Sequence, residues 1–373
     1  MGILRYGDPE KAGFDPNRLS RVDAFIKKAI KEKHFPGAVL LVARKGVIVY
    51  HKAFGKRVVK PVEKPMEKDT IFDLASVTKV VSTTTLTMKL VEDGLVSLSD
   101  PLVDYIPEFK GFGKEQIKIV HLLTHTSGLP PWLPFFSLCN SREEVFKYIF
   151  SSHLTAPLFK PGEKIVYSDI GFILLGLLIE RVKGKRLDEV ARKELFQPLD
   201  LKNTMYNPPG ELKEKTAATE QCKYRGRIIW GEVHDENAYS MGGVAGHAGL
   251  FSTAFDLAKF AQMMLNKGVY DGVRILGSRT VEVMTSEHAR TDSGRRALGW
   301  GMRVKGAYSS GGDLLSEKAY GHTGFTGTSL WIDPELDLFI IFLTNRVHYG
   351  RENRAIIKDR PKLHNIIVSS LVT

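Results

Sequence analysis

Cysteine is scarce in this chain: two in 373 residues, Cys139 and Cys222, neither in a Cys-x-x-Cys pair. That argues against a disulfide framework and a thiolate metal site, and leaves a single bridge between the two as an open alternative. Long apolar runs are missing as well. Roughly 20 residues are needed to span a bilayer, and the longest candidate, "GFILLGLLIERVKG" at 171–184, is cut short by Glu180 and Arg181. The start, "MGILRYGDPEKAGFDPN", has no apolar signal core, because charge arrives at Arg5 and again at Asp8. The expectation is a cytoplasmic protein without a membrane span, or a periplasmic or extracellular one if a leader has been removed.

Unbroken basic runs are absent despite a net charge of +11. Lysines are spread with Glu between them, as in "KKAIKEK" and "KRVVKPVEK", so no nucleic-acid partner is expected. Gln is rare while Lys, Arg and Glu are plentiful, a composition that leans toward a thermophilic source. Two catalytic signatures are also lacking. No Gly-x-Ser-x-Gly occurs, so a Ser-His-Asp triad has no anchor despite eleven histidines. No His-Glu-x-x-His occurs either. His121 and His125 stand four apart on a predicted helix, but with no third ligand near they read as core or capping residues. His234 and His247 fit no metal spacing. No metal and no cofactor are expected.

What is present reads as alternating order. Residues 16–33 form an amphipathic pattern with Asp15 as N-cap and Pro16 in the first helical position. "GAVLLVAR" (37–44) and "VIVYHKAFG" (47–55), joined by Lys45-Gly46, give a hairpin. "DLASVTKVVSTTTLTMKLVEDG" (73–94) predicts a helix closed by Gly94. Helical signals continue at 117–125, 142–150, 169–184 and 187–196, and residues 217–250 are glycine-rich and irregular. A helix restarts over 252–268, with Thr253 and Asp256 spaced as a capping box. Strands are predicted at 297–304, 318–324, 327–334 and 336–345, and a last helix covers about 351–371, bent at Pro361. Strands at both ends and helices between them predict an α+β fold: one antiparallel sheet flanked by helices, with an inserted all-helical domain. The expected boundaries are 1–75 with 215–373 for the sheet domain and 76–214 for the helical one.

Three short motifs carry chemistry. Ser76-Val77-Thr78-Lys79 is the single place where a lysine follows a serine by three residues. On a helix these positions are neighbours, so hydroxyl and amine can meet, and a base beside a serine makes it a nucleophile. The plain alternative is an N-cap serine and a solvated lysine. Tyr167-Ser168-Asp169 stands just before a helix and reads alternatively as a core tyrosine followed by an N-cap; Tyr6-Gly7-Asp8 repeats the triplet. His322-Thr323-Gly324 ends a predicted strand. Its glycine permits close backbone approach to a bound acyl group, with the Phe325 N–H as an oxyanion donor, or it is merely a tight hairpin with a surface histidine.

Taken in order, Ser-x-x-Lys, Tyr-x-Asn/Asp and Lys/His-Thr-Gly resemble the serine β-lactamase and penicillin-binding-protein superfamily. The similarity is greatest to its class C-like branch, which also holds family VIII carboxylesterases and D-amino-acid peptidases. It rests on "IFDLASVTKVVSTT", "VHLLTHTSGLP", "YSDIGFILLGLLIE", "GGVAGHAGLFSTAFDLAKF" and "GHTGFTGTSLWIDPE", from about residue 16 to 345. The resemblance implies an active site between the sheet and helical domains and a serine hydrolase working through an acyl-enzyme on Ser76. Its substrate would be a small or peptide-like acyl compound: ester, β-lactam or D-aminoacyl peptide. Lys79 would be the neighbouring base or proton relay and Tyr167 the general base. The Ser76 and Phe325 N–H groups would form the oxyanion hole; Trp132, Phe135 and Phe136, beside a stretch that in relatives forms a wall of the cleft, read as an acyl pocket or, more commonly, as core or lid packing. A non-turnover penicillin-binding sensor, or an inactive binding relative, is the alternative within the same fold.

Two positions depart from the commoner pattern. Asp169 replaces asparagine, and a carboxylate near Lys79 raises its pKa, which shifts the base role onto Tyr167. His322 replaces lysine, and histidine is only partly charged near neutrality. That weakens the expectation of carboxylate recognition and favours an ester or a D-amino-acid amide.

Overall fold

The computed structural model describes residues 3–291 and 294–372. Its main sheet takes strands from both chain ends. Across the sheet the order is Arg5–Tyr6, Val47–Val58, Gly37–Arg44, Leu338–Thr344, Ser329–Asp333, Tyr320–Thr323, Gly301–Met302, Gly294–Arg296 and Ala289–Thr291. Every neighbouring pair is antiparallel except Arg5–Tyr6 with Val47–Val58, which is parallel. The hairpin at Lys45-Gly46 forms as expected, with Lys45 at φ 52° and Gly46 at φ 73°.

Period-two alternation explains why the central strands read as continuous apolar runs. Val39, Leu41 and Ala43 face one core together with Leu330, Ile332, Phe339 and Ile341. Ala38, Leu40 and Val42 face the other with Trp331, Leu338, Ile340 and Phe342. A sheet covered on both faces needs apolar residues at every position, and each buried Leu, Ile or Phe contributes roughly 1.5–3 kcal/mol. The helix Arg21–Lys31 and the last helix, Ala355–Val368, cover the second face. Ala254–Leu265 and the helices from the middle of the chain cover the first.

Several predicted elements shift at their ends. The first helix divides at Ser20 into Pro16–Leu19 and Arg21–Lys31, and Asp15 caps the former by accepting from the Asn17 and Arg18 N–H groups. Thr253 caps Ala254–Leu265 through the Asp256 N–H. Residues 297–300 are not strand, and pairing is confined to Gly294–Arg296 and Gly301–Met302. The glycine-rich stretch holds a short hairpin, Gln221–Cys222 with Arg227–Ile228, and a helix at Glu236–Ser240. Cys139 and Cys222 are free and buried. Among the described residues no helix is long and apolar enough to cross a membrane.

Candidate active site

Ser76 stands in a 3-10 turn, Ala75–Val77, and not in the first turn of an α-helix. A π-helical stretch, Lys79–Thr84, follows before α-helix begins at Thr85. Ala75 is held at φ 46°, a region unusual for a residue with a Cβ. Two contacts hold it there: Asp73 accepts from the Ala75 N–H at 2.8 Å, and the turn is tied to the sheet. Thr326 and Thr328 donate their hydroxyls to the carbonyls of Asp73 and Leu74, at 2.8 and 2.9 Å. Gly324 makes this approach possible, because a Cβ there would sit 2.2 Å from Thr328 Oγ1 and 2.3 Å from the Leu74 carbonyl.

Lys79 is completely buried. Its Nζ donates to Ser76 Oγ at 3.0 Å and to the His247 carbonyl at 2.9 Å, and lies 2.7 Å from Asp169 Oδ1. It also stands 5.0 Å from the centre of the Tyr167 ring. The solvated-lysine alternative is therefore wrong: the amine points inward and meets the serine. Burial pulls the Lys79 pKa down, but Asp169 and Tyr167 outweigh it and leave the pKa raised, so the amine is charged. Burial also raises the Tyr167 pKa; Lys79 opposes this, Asp169 adds to it, and the net shift is upward. The resting pair is thus an ammonium beside a neutral phenol.

Tyr167 is brought here by the segment before the helix Asp169–Lys183. Ser168 caps that helix through the Gly171 N–H and donates its hydroxyl to the Pro130 carbonyl at 2.7 Å. Asp169 N–H donates to the Pro131 carbonyl at 2.8 Å. Behind the phenol lies His125, at φ 57°, with ring centroids 4.4 Å apart. Its Nδ1 accepts from the Ser168 N–H at 3.1 Å, so the proton is on Nε2. Burial first, then the charges of Arg296 and Lys79, hold His125 neutral. His121 instead caps its own helix by accepting from the Lys118 N–H, so the two histidines share no site.

His322 lies on the strand Tyr320–Thr323 with its ring 5.9 Å from that of Tyr167. Its Nδ1 donates to the Thr323 carbonyl at 2.9 Å, which leaves Nε2 with a lone pair. Burial, reinforced by Lys79 and Arg296, drops its pKa well below the usual value. The partial charge expected of this histidine is absent: it is neutral. Thr323 and Gly324 line the same cavity, as does Phe325, whose N–H has no acceptor among the described residues. The Phe325 ring is about half exposed and stacks on His234 at 5.5 Å.

A cavity of about 500 Å³ joins Ser76, Tyr167 and His322 to Gly324 and Phe325. Trp132 is not among its lining residues: it is exposed and packs near Phe136, which meets Tyr224 edge-on at 4.8 Å. Phe135 is in the core. The three aromatics therefore form no common acyl pocket: Phe135 turns into the core, while Phe136, the next position of the short helix Phe135–Leu138, turns toward Trp132 and Tyr224. Arg296, Arg346 and Arg360 do line the cavity, and no motif flagged them. Arg296 stands with its guanidinium carbon 5.8 Å from the Tyr167 ring centre.

A larger cavity, about 850 Å³, contains none of the motif residues. Near it Glu220, Cys222 and Glu236 each place a ligand atom within 4.8 Å of the others, but Arg351 bridges the two carboxylates. His234 lies 3.3 Å from Glu220, and His247 Nε2 lies 3.0 Å from Asp235. Both histidines pair with carboxylates of the same glycine-rich stretch, 217–250.

Comparison with known proteins agrees with this geometry. The family model described as Beta-lactamase matches residues 22–360. The chain is 38% identical over 377 residues to N-acetylmuramyl-L-alanine amidase of Bacillus subtilis (strain 168), covering 91% of this chain and 83% of that protein. It is 35% identical over 407 residues to a Salmonella typhi protein provisionally named D-alanyl-D-alanine carboxypeptidase, with 99% and 91% covered. Among solved structures, the octameric penicillin-binding protein homologue from Pyrococcus abyssi superposes with a TM-score of 0.71 at 26% identity, over 88% of this chain and 73% of that one. The chain belongs to the β-lactamase family. Within it, this protein is a serine acyl hydrolase.

Proposed function

We propose that Ser76 is acylated by a peptide-like amide or ester whose leaving group carries a carboxylate, and that water then releases the acid. The observation supporting it most directly is the meeting of Ser76 Oγ, Lys79 Nζ and Asp169 at 3.0 and 2.7 Å beside the Tyr167 phenol. Because Lys79 and Tyr167 interact strongly, they titrate as a pair. The reactive form is the pair short of one proton. Ser76 Oγ attacks the substrate carbonyl and passes its proton to the pair. Tyr167 then hands that proton to the departing nitrogen or oxygen as the C–N or C–O bond breaks. Water repeats the sequence on the acyl-enzyme, with the pair as base and Ser76 as leaving group. The N–H groups of Ser76 and Phe325 are the donors suited to the oxyanion.

Neutral His322 cannot hold a carboxylate as an ammonium would, but Arg296 beside Tyr167 carries a fixed charge on the side where the leaving group departs. The names of the two relatives describe substrates of this kind, an N-acetylmuramyl–L-alanine amide and a D-alanyl-D-alanine peptide. The test is a panel of a chromogenic cephalosporin, p-nitrophenyl esters and aminoacyl amides on wild type and Ser76→Ala, with mass spectrometry of the peptide bearing residue 76. Turnover and an adduct on that peptide are expected in the wild type alone. Turnover that survives Ser76→Ala would end the assignment.

A further inference from the structure

Tyr167 stands on no regular element. Residues 156–168 are neither helix nor strand, and the next helix begins only at Asp169. A phenol that must reach Ser76 and Lys79 is then only as well aimed as the contacts that hold its segment. Three of those contacts come from one residue. The Val166 N–H donates to the His125 carbonyl at 2.8 Å, and the Ser168 N–H donates to His125 Nδ1 at 3.1 Å. The His125 ring lies behind the phenol, with centroids 4.4 Å apart and planes tilted by 32°. His125 thus holds the residue before the tyrosine, the residue after it and the ring itself. Any residue could supply the first contact through its backbone; the other two need this side chain.

The position is an unusual one for histidine. The helix Ile119–Leu123 ends in a Schellman turn, in which the Thr126 N–H donates to the His121 carbonyl at 2.8 Å and the His125 N–H to the Leu122 carbonyl at 3.3 Å. His125 fills its left-handed place, at φ 57°, where glycine or asparagine is usual. It is 1% exposed, and its protonated Nε2 has no hydrogen-bond partner among the described residues. Phenylalanine would stack there without burying an unpaired N–H, but could not accept from Ser168. Asparagine would suit the left-handed backbone and could accept, but could not stack. Histidine does both. It is not among the residues lining the reactive cavity, so its route to the chemistry runs through Tyr167.

We infer that His125 is the positioning residue of the catalytic phenol: through Nδ1 and its ring face it fixes where the Tyr167 hydroxyl stands relative to Ser76, in acylation and again when water releases the acid. The inference rests on the proton-transfer role given to Tyr167 above.

Two substitutions separate the two contacts. His125→Asn keeps an acceptor for Ser168 and loses the ring; His125→Phe keeps the ring and loses the acceptor. Each is expected to lower kcat for p-nitrophenyl ester hydrolysis by about 10- to 100-fold, the scale of misplacing a catalytic group. KM should stay within about twofold, because the cavity lining is untouched. Placed in a Tyr167→Phe background, the same substitutions should cost no more than about twofold further, since no phenolic hydroxyl is left to aim. Equal losses in both backgrounds, or a loss confined to KM, would overturn the inference. If the variants fail to fold, long-range ¹⁵N NMR of the wild type with labelled histidine reads the contact directly. His125 is expected as the Nε2-protonated tautomer, and a proton on Nδ1 would overturn the inference by removing the acceptor for Ser168. A Tyr167→Phe enzyme as fast as the wild type would instead remove the reading beneath it.

Discussion

Among the described residues two lysines are completely buried, and they behave oppositely. Lys79 faces a carboxylate, a serine hydroxyl and a carbonyl, and its pKa is raised despite burial. Lys114 faces oxygens that carry no charge. It donates to the carbonyls of Ile149 and Phe150 at 2.7 and 3.1 Å and to Thr155 Oγ1 at 2.9 Å, closing the end of the helix Arg142–Ser151. Burial pushes its pKa down to about 8. Both amines also lie over aromatic rings: Tyr167 and Phe172 for Lys79, Phe109 and Phe112 for Lys114. Depth and aromatic surroundings therefore do not make a lysine reactive. What distinguishes Lys79 is the serine and phenol within its reach and the carboxylate that fixes its charge.

The widest separation between the two is expected from Lys79→Met and Lys114→Met. The first should lower kcat for ester hydrolysis by about 10⁴-fold, in the range for removing a group that acts as part of a catalytic unit. The second should leave kcat within about twofold while costing about 1–3 kcal/mol in a denaturant melt, because the helix-end carbonyls lose their donor. Next in size is the phenol. Tyr167→Phe is expected to lose about 10²–10⁴-fold in kcat, the worth of a general acid–base group, and His322→Ala far less. The reverse order would move proton transfer to the histidine.

A smaller effect isolates the carboxylate. The reactive pair must lose one proton, so the rate should climb with pH. Asp169 raises the pKa of both Lys79 and Tyr167. Removing it in Asp169→Asn should lower both and move the rising limb of the pH–rate profile to lower pH, and a shift upward would contradict this. The gentlest test concerns Lys114 and stability. Its folded pKa of about 8 lies below the usual lysine value, so the unfolded chain binds more protons between about pH 8 and 10.4. Stability contributed through this residue should therefore rise with pH across that window. Melts of wild type and Lys114→Met at several pH values should diverge there and run parallel below it.

The legible parts of the fold were those written locally. The hairpin at Lys45-Gly46, the Asp15 and Thr253 caps and the fully apolar central strands follow from neighbouring residues alone. Ser76, Lys79 and Tyr167 were legible because their motifs are short and ordered. The arginines of the cavity were not. "SGRRALGW", "TNRVHYG" and "IKDRPK" share no spacing with the motifs, and only closure of the sheet and docking of the last helix bring Arg296, Arg346 and Arg360 together. The 3-10 and π geometry of residues 75–84 was hidden for a related reason: the helical pattern of 73–94 is real, but its start is tied to Thr326 and Thr328, distant residues of the turn between two sheet strands. The neutrality of His322 depends first on its burial and then on the charges of Lys79 and Arg296 arriving nearby, none of which a local reading supplies.

The hydroxyls of Thr326 and Thr328, reaching from the turn between Tyr320–Thr323 and Ser329–Asp333 to the backbone just ahead of the nucleophile, make the reacting serine and that hairpin one mechanical body. On heating, such a body has no cheap way to go slack in part. Acylation competence and the sheet's circular-dichroism signal should then vanish at the same temperature, with no folded but idle enzyme between them.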